Sequence, residues 1–234
     1  MKIMIDPGHG GHDPGAVANG LQEKDLTLTL ALRIGELLMS RGAEVHFTRA
    51  TDVFVELSER ARMANVAGVD YFLSIHINAG GGSGFESYTY PRTSGETERI
   101  RSVIHDHVAA VFASAGLPDR GRKQANLAVL RETQMPAVLL EYGFVDSQTD
   151  AALLRDPNWL EQLAQATATG VAEAFGLPEL IQSERPEDES ATDWRMEFAQ
   201  ACAWAVEKGI TDGSRPKDSV TREEVWTMLY RALK

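Results

Sequence analysis

Two histidines and two glutamates stand where short apolar segments or glycine loops of this sequence end. His9 lies in the loop after the first apolar segment, and Glu23 opens a helical pattern. His76 and Glu141 each continue an apolar run. Two imidazoles and one carboxylate can hold a zinc ion and leave its fourth coordination position open. A further glutamate nearby can transfer the proton of the attacking water, and that combination hydrolyses amides.

The surroundings of both histidines favour a site over a loop or core position. Glycines flank His9 and let the backbone turn sharply without side-chain bulk near the ring. His76 ends the strand pattern Phe72–Ile77 and is followed by small residues. Since α/β sheets place their sites at the carboxyl ends of strands, the two rings are expected to meet at one sheet edge.

Glu23 is the candidate third metal ligand. Acidic residues also suit the first turn of a helix, where they stabilise its dipole, so this position alone leaves both interpretations open. Three aspartates compete for the ligand role: Asp6, Asp13 and Asp25. Asp6 is expected to bond backbone amides of the glycine loop or to support His9.

Glu141 is the candidate proton carrier because it continues the apolar run Ala137–Leu140. A carboxylate in a buried strand is costly unless it is paired or functional. Desolvation would raise its pKa, which suits a group that accepts and returns a proton. The alternative is a structural ion pair with an arginine.

The remaining histidines carry weaker signals. His12 is a possible rim residue, and His46 is expected to face outward from a strand. His105 and His107 are two apart on a helix and are expected to be solvated. The sequence has no Gly-x-Ser-x-Gly motif, and the single cysteine, Cys202, lies far from the candidate site, which disfavours a serine or cysteine nucleophile.

Composition excludes several classes of protein. The formal net charge of -11 argues against a nucleic-acid partner. One cysteine excludes a disulfide framework and a cysteine-rich metal site. No apolar run approaches the roughly 18 residues needed to cross a bilayer, and no signal peptide is visible, so we expect no membrane partner and synthesis in the cytoplasm.

Short apolar segments alternate with amphipathic ones, which predicts an α/β fold with a mixed, mostly parallel sheet flanked by helices. Strands are predicted at 2–6, 44–48, 71–77, 85–90, 126–130 and 137–142. Helices are predicted at 23–40, 55–67, 95–115, 147–154 and 158–175. Residues 1–176 would form the catalytic domain, 177–191 an acidic linker, and 192–234 a small helical module.

The first 175 residues resemble the zinc-dependent N-acetylmuramoyl-L-alanine amidases of the amidase-3 family. The resemblance implies zinc on His9, Glu23 and His76, with Glu141 as the catalytic glutamate. It also implies cleavage of the amide between N-acetylmuramic acid and L-alanine in peptidoglycan. The segments that carry the resemblance are Ile5–Gly11, Asp13–Ala16, Glu23–Asp25, Thr48–Arg49, Ser74–Ala79, Gly84–Glu86, Leu127–Arg131, Pro136–Glu141 and Gly143–Phe144.

Residues 192–234 resemble one S-layer-homology repeat and carry its segments Gly209–Gly213 and Val220–Glu224. Such repeats usually come in threes and bind cell-wall polysaccharide together; this sequence has one, and the resemblance implies wall polysaccharide as its ligand. An amidase without a signal peptide that carries such a module is similar to a phage endolysin, which is released to the wall through a holin pore.

Three other roles stay open. The chain could be a mother-cell autolysin of a sporulating bacterium, which is also made without a signal. It could be a zinc carboxypeptidase that acts on the stem peptide. It could also be a wall-binding protein with an inactive amidase domain, although the complete set of four site residues argues against that role.

Overall fold

The computed structural model of this protein describes residues 1–178. Helices and strands alternate along this part of the chain, as the sequence predicts. The strands are β1 (Lys2–Pro7), β2 (Val17–Ala18), β3 (Leu21–Gln22), β4 (Glu44–Phe47), β5 (Tyr71–Asn78), β6 (Phe85–Thr89), β7 (Asp119–Gln124) and β8 (Ala137–Phe144). The helices are α1 (Glu23–Met39), α2 (Leu57–Ala67), α3 (Gly95–Ser114), α4 (Ala128–Arg131), α5 (Gln148–Leu154) and α6 (Pro157–Phe175).

Six strands form the central sheet in the order β4-β1-β5-β8-β6-β7. Strands β4, β1, β5 and β8 run parallel, β6 is antiparallel to β8, and β7 is parallel to β6. The carboxyl ends of β1, β5 and β8 therefore lie at one edge of the sheet. Strands β2 and β3 form a separate two-stranded hairpin just before α1. The predicted fold class is confirmed.

Alternating side chains of the central strands fill two cores, one on each face of the sheet. Ile3, Ile5 and Leu73 belong to the larger core, together with apolar residues of α1, α3 and α6. Met4, Phe72 and Leu139 point to the smaller core and pack with residues of α2 and α4. Both faces of the parallel strands are thus covered, as expected for such sheets.

Local sequence explains where the main helices begin and end. Helix α3 starts at Ser94, whose side chain accepts a hydrogen bond from the Thr97 amide. Helix α6 starts after Asp156, whose side chain accepts from the Asn158 amide, and it ends at the left-handed Gly176. Helix α1 has no such side-chain cap at its start, because its N-cap residue, Gln22, makes no capping hydrogen bond.

One predicted strand is wrong. Residues 126–130 form a loop and the short helix α4, although their short apolar run resembles a buried strand. The sheet instead takes its edge strand from β7, which has the sequence Asp-Arg-Gly-Arg-Lys-Gln and no apolar residue. An edge strand needs few buried side chains, and charged residues there protect against pairing with other chains.

Two sequence predictions concern residues that the structure does not describe. The acidic linker beyond Pro178 and the module at 192–234, with Cys202, lie outside the described residues. Among the helices that are described, none is both long and apolar enough to cross a membrane.

Candidate metal centre and proton-transfer site

His9 is held in an unusual backbone conformation by two arginines. Its φ of 60° lies in the left-handed region, which a residue with a β-carbon adopts at a cost. Arg60 donates to the carbonyl oxygens of Pro7 and His9 at 2.7 and 2.8 Å. Arg49 donates to the carbonyl oxygens of Pro7 and Gly8 at 3.0 and 2.8 Å. These bonds fix the loop that presents the imidazole.

Two glycines make room for the site. A β-carbon on Gly8 would lie 2.3 Å from Cε1 of His76, so only glycine allows the β1 end to approach that ring. A β-carbon on Gly15 would lie 2.6 Å from Oε2 of Glu23, and the φ of Gly15 is 65°. The glycines thus bring His9, Glu23 and His76 close together rather than merely allowing turns.

Glu23 lies between the two histidines at the start of α1. Its Oε2 is 3.1 Å from Nε2 of His9, and its Oε1 is 2.9 Å from Nδ1 of His76. Backbone amides of Ala16 and Ile77 donate to the same two oxygens at 2.9 and 3.0 Å. The carboxylate is therefore oriented by its amide donors and presents both oxygens to the imidazoles.

The donor set fits a zinc ion. One ligand atom from each of His9, Glu23 and His76 can be chosen so that all three lie within 4.8 Å of one another. Two ligands at about 2.0–2.1 Å from zinc in a tetrahedral arrangement are about 3.3 Å apart, close to the 3.1 Å between His9 and Glu23. Among the described residues this is the group whose spacing could hold a metal ion.

Electrostatics favour positive charge at this cluster. Burial alone would lower the pKa of His9, but Glu23 and Asp13 outweigh it and raise the pKa to about 9. Burial would raise the pKa of Glu23, whereas hydrogen bonds to both histidines bring it well below its usual range. A cation bound here would replace the protons on the imidazoles, so the pH dependence of metal binding would report this competition.

Asp13 orients His9. Its Oδ2 is 2.8 Å from Nδ1 of the ring, which leaves Nε2 for the cluster. Its Oδ1 accepts from the Gly15 amide at 3.0 Å, so the carboxylate is itself fixed. A carboxylate behind a ligating imidazole sets the tautomer and the direction of the ring. The spacing of four residues from His9 was the signal in the sequence for this role.

The expectation for Asp6 is wrong. Asp6 is fully buried and accepts hydrogen bonds from Thr48, Ser74 and Arg60 at 2.6, 2.7 and 2.9 Å. These donors are side chains, and neither His9 nor an amide of the glycine loop is among them. Asp6 thus fixes Arg60, which in turn fixes the loop of His9. Asp25, the remaining competitor, is exposed on α1.

Glu141 lies directly opposite His76 in the register of β5 and β8. Its Oε2 is buried and has no hydrogen-bond partner among the described residues. Burial raises its pKa to about 7; the nearby carboxylates of Glu23 and Glu86 act in the same direction, while His76 opposes them. Among the described residues no arginine bonds this oxygen, so the structure does not support the alternative of a structural ion pair there.

The sequence patterns did not indicate the polar cluster that lies next to Glu141. Glu86 faces Glu141 across β6 and β8. It accepts from Asn78, Tyr88 and Arg120 at 2.7, 2.7 and 2.8 Å, and it also pairs with Lys123. The signal was Glu86 itself, a charged residue next to Phe85 in a strand, but its two cationic partners, Arg120 and Lys123, come from a distant segment.

The other histidines stand apart from the cluster. His12 is exposed and contacts the ring of Phe54 at 4.1 Å between centroids, and His46 faces outward as predicted. His107 is partly exposed beside Glu173. The prediction for His105 is wrong, because its side chain is 1% exposed and bonds Ser87 at 2.7 Å and Asp119 at 2.9 Å.

A cavity of about 340 Å³ opens beside His9 and His76. Its walls are mainly apolar and come from the loop before α2, from α4 and from β8, with Asp6, Asp13, Glu56 and Arg60 as the charged members. The apolar wall residues are Phe54, Val55, Leu57, Leu127, Ala128, Val129 and Leu139. A ligand held by the cluster therefore has a mainly apolar surface on this side.

Comparison with known proteins gives one consistent family. Residues 3–173 match the family Amidase_3, described as N-acetylmuramoyl-L-alanine amidase. The chain is 46% identical over 185 residues to the sporulation-specific N-acetylmuramoyl-L-alanine amidase of Bacillus subtilis, covering 78% of this chain and 71% of that protein. It is 44% identical over 191 residues to the endolysin of Bacillus phage SPP1, covering 80% and 70%.

A solved structure has the same fold. The catalytic domain of CwlV, an N-acetylmuramoyl-L-alanine amidase from Bacillus (Paenibacillus) polymyxa, superimposes with a TM-score of 0.70 and 34% sequence identity. The match covers 76% of this chain and 99% of the CwlV domain. The similarity therefore spans the whole of that catalytic domain.

Proposed function

Because this chain belongs to the amidase-3 family of N-acetylmuramoyl-L-alanine amidases, we propose that it is a zinc-dependent peptidoglycan hydrolase. The bond cleaved is the amide between the lactyl group of N-acetylmuramic acid and L-alanine. The observation that carries the proposal is the placement of a buried, unpaired Glu141 oxygen opposite His76, within a cluster of two imidazoles and one carboxylate.

His9, Glu23 and His76 would hold the zinc ion, which supplies Lewis-acid activation of water and of the scissile carbonyl. Asp13 keeps the His9 ring in one orientation through Nδ1. Glu141 takes the proton of the attacking water and returns it to the departing nitrogen. Burial raises the pKa of Glu141 to about 7 in the metal-free protein, which brings its proton exchange closer to neutral pH than that of an ordinary glutamate.

The family similarity supports two biological roles. We propose the role of an endolysin, in line with the 44% identity to the endolysin of phage SPP1. The 46% identity to a sporulation-specific amidase favours a mother-cell autolysin as the second candidate. An adjacent holin gene would support the endolysin role, and expression confined to sporulation would support the other.

The C-terminal module at 192–234 is proposed to bind the cell wall. The full chain should sediment with purified walls more completely than a variant that ends at Pro178. Hydrolysis of soluble muropeptides should be similar for the two proteins. Equal sedimentation of both would exclude wall binding by the module and would leave the catalytic domain as the wall-binding part.

Digestion of purified peptidoglycan with product analysis tests the reaction. New alanine amino termini should appear, and no new reducing sugar ends should form. Release of a free amino acid with the muramyl amide intact would instead identify a carboxypeptidase. Chelation followed by confirmed metal removal should abolish the activity, and one equivalent of zinc should restore it. Full activity in the metal-free protein would refute the zinc dependence.

A further inference from the structure

Two cations lie at the edge of the sheet beyond Glu141. Arg120 and Lys123, on β7, have side chains 34% and 36% exposed, and both contact Glu86. Glu86 itself is buried, with a side chain 3% exposed. Two positive groups therefore share one carboxylate, and the trio carries a formal charge of +1 in a chain whose net charge is -11.

The sheet register places these cations in line with the candidate site. His76 pairs with Glu141, Glu141 pairs with Glu86, and Tyr88, two residues further along β6, pairs with Lys123. Directly paired residues point to the same face of a sheet, so the side chains form a row across β5, β8, β6 and β7. At about 4.8 Å between strands, the cations lie roughly 10 Å beyond Glu141.

Proton transfer sets the direction of the substrate along this row. The leaving nitrogen must receive its proton from Glu141, so the amine side of the amide departs on the Glu141 side of the site. The cavity beside His9 and His76 is mainly apolar, and its exposed acidic residue Glu56 would repel an anion. The peptide therefore extends toward β6 and β7.

Arg120 keeps donors available for a second anion. It donates to Glu86 through Nε, at 2.8 Å, and its guanidinium lies over the ring of Phe144 at 4.7 Å from the centroid. The aromatic ring and Glu86 fix the plane of the guanidinium. A guanidinium has five N–H donors in a rigid fork that matches a carboxylate, and the ammonium of Lys123 has three.

We infer that Arg120 and Lys123 bind a carboxylate of the stem peptide, carried by the second or third residue on the amine side of the scissile bond. This inference rests on the proposed function. An extended residue spans at most about 3.3–3.6 Å, so three residues cover the roughly 10 Å from Glu141 to the cations, and two residues cover about 7 Å and leave the rest to the length of a carboxylate side chain. Binding there would position the leaving nitrogen against Glu141.

The test uses two muramyl tripeptides that differ in one respect: the second and third residues carry free carboxylates in one and carboxamides in the other. Wild-type protein should have a kcat/KM about tenfold higher for the carboxylate substrate, the size expected of a charge-assisted hydrogen bond. That ratio should fall toward one in Arg120→Gln and in Lys123→Gln. Arg120→Lys should retain part of it.

Arg122→Gln is the matched control. Arg122 is on the same strand but pairs with Ser87 in the register and contacts Asp106, so it lies on the other face of the sheet. The substrate ratio should stay at its wild-type value in this variant. A loss of the ratio in Arg122→Gln as large as in Arg120→Gln would assign the preference to overall charge and overturn the inference.

The salt dependence of kcat/KM in the wild-type protein tests the same inference without any variant. Salt should weaken kcat/KM more for the carboxylate substrate than for the carboxamide, because partly exposed charges are screened. Equal turnover of both substrates at every salt concentration would overturn the inference while leaving the amidase reaction established. Hydrolysis of neither substrate would overturn the proposed function and this inference with it.

Discussion

Two glutamates that face each other across adjacent strands have opposite surroundings. Glu86, at the β6–β7 edge, accepts from two neutral side chains and two cations, and its pKa lies below the usual range. Glu141, at the end of β8, has a buried oxygen with no partner among the described residues, and its pKa is raised to about 7. Burial disfavours the charged form of both side chains.

The difference shows that hydrogen-bond and ion-pair partners, more than burial, decide whether a buried carboxylate stays charged or can exchange a proton. Glu86 remains charged because four donors replace its lost hydration. Glu141 can gain or lose a proton near neutral pH because its environment stabilises neither form strongly. An unpaired buried carboxylate costs stability, and groups with strongly shifted pKa values cluster at functional sites.

The largest expected effect is a difference in kcat between variants of Glu141 and of Glu86. Glu141→Gln should lower kcat by at least about two orders of magnitude, the usual size of a general acid/base contribution, and should retain bound metal. Glu86→Gln should reduce kcat much less, since Glu86 would not exchange a proton with the substrate. Steady-state hydrolysis of a soluble muropeptide, with metal analysis of each variant, measures this. Equal losses of kcat in the two variants would show that Glu86 and Glu141 do not differ in catalytic role.

Asp13 extends the comparison to a third carboxylate, one whose partner is a metal-ligand candidate. Asp13→Asn should weaken zinc binding about 10- to 100-fold, the usual effect of losing a carboxylate behind a ligating histidine. Competition with a metal-sensitive dye gives the affinity. Asp25→Asn, which changes an exposed acid nearby on α1, is the control. Unchanged affinity in Asp13→Asn would exclude the orienting role.

For the free energy of unfolding we expect the opposite order, with a larger loss in Glu86→Gln than in Glu141→Gln. Glu86→Gln should lower the free energy of unfolding by about 1–3 kcal/mol, because Arg120 and Lys123 lose a charged partner. Glu141→Gln should leave the free energy of unfolding unchanged or raise it, because no hydrogen bond of Oε2 is lost. Urea denaturation of both variants provides the values. A stability loss in Glu141→Gln as large as that in Glu86→Gln would mean that Glu141 has a structural partner.

A further expected effect concerns the pH dependence of stability in the metal-free protein. The pKa of Glu141 is about 7 in the folded state against an ordinary 4.5, so the folded state holds the proton more tightly. Wild-type stability relative to Glu141→Gln should therefore be highest below about pH 4.5 and should fall as the pH rises to about 7. Urea denaturation at several pH values measures the difference. A difference that is constant with pH would show that Glu141 ionises normally.

Much of the fold could be predicted because its signals are local. The amphipathic stripe of α1 and the serine and aspartate caps of α3 and α6 identify helices from neighbouring residues alone. Strand β7 could not be predicted, since a charged edge strand has no hydrophobic pattern and is defined only by its hydrogen bonds to β6. The strand predicted at residues 126–130 was wrong for the opposite reason. These residues do have an apolar pattern, but they form a short helix and a loop.

The sequence by itself determined the candidate site residues, since His9, Glu23, His76 and Glu141 stand at the ends of predictable elements and the family segments surround them. The tertiary structure decided their environments. In the folded chain Asp13, and not Asp6, orients the His9 ring. Cationic side chains contact Glu86, whereas Oε2 of Glu141 has no partner among the described residues. Hydrogen-bond partners and pKa values depend on which distant segments of the chain come into contact. Strand order and register determine these contacts, and both are defined only once the sheet has formed.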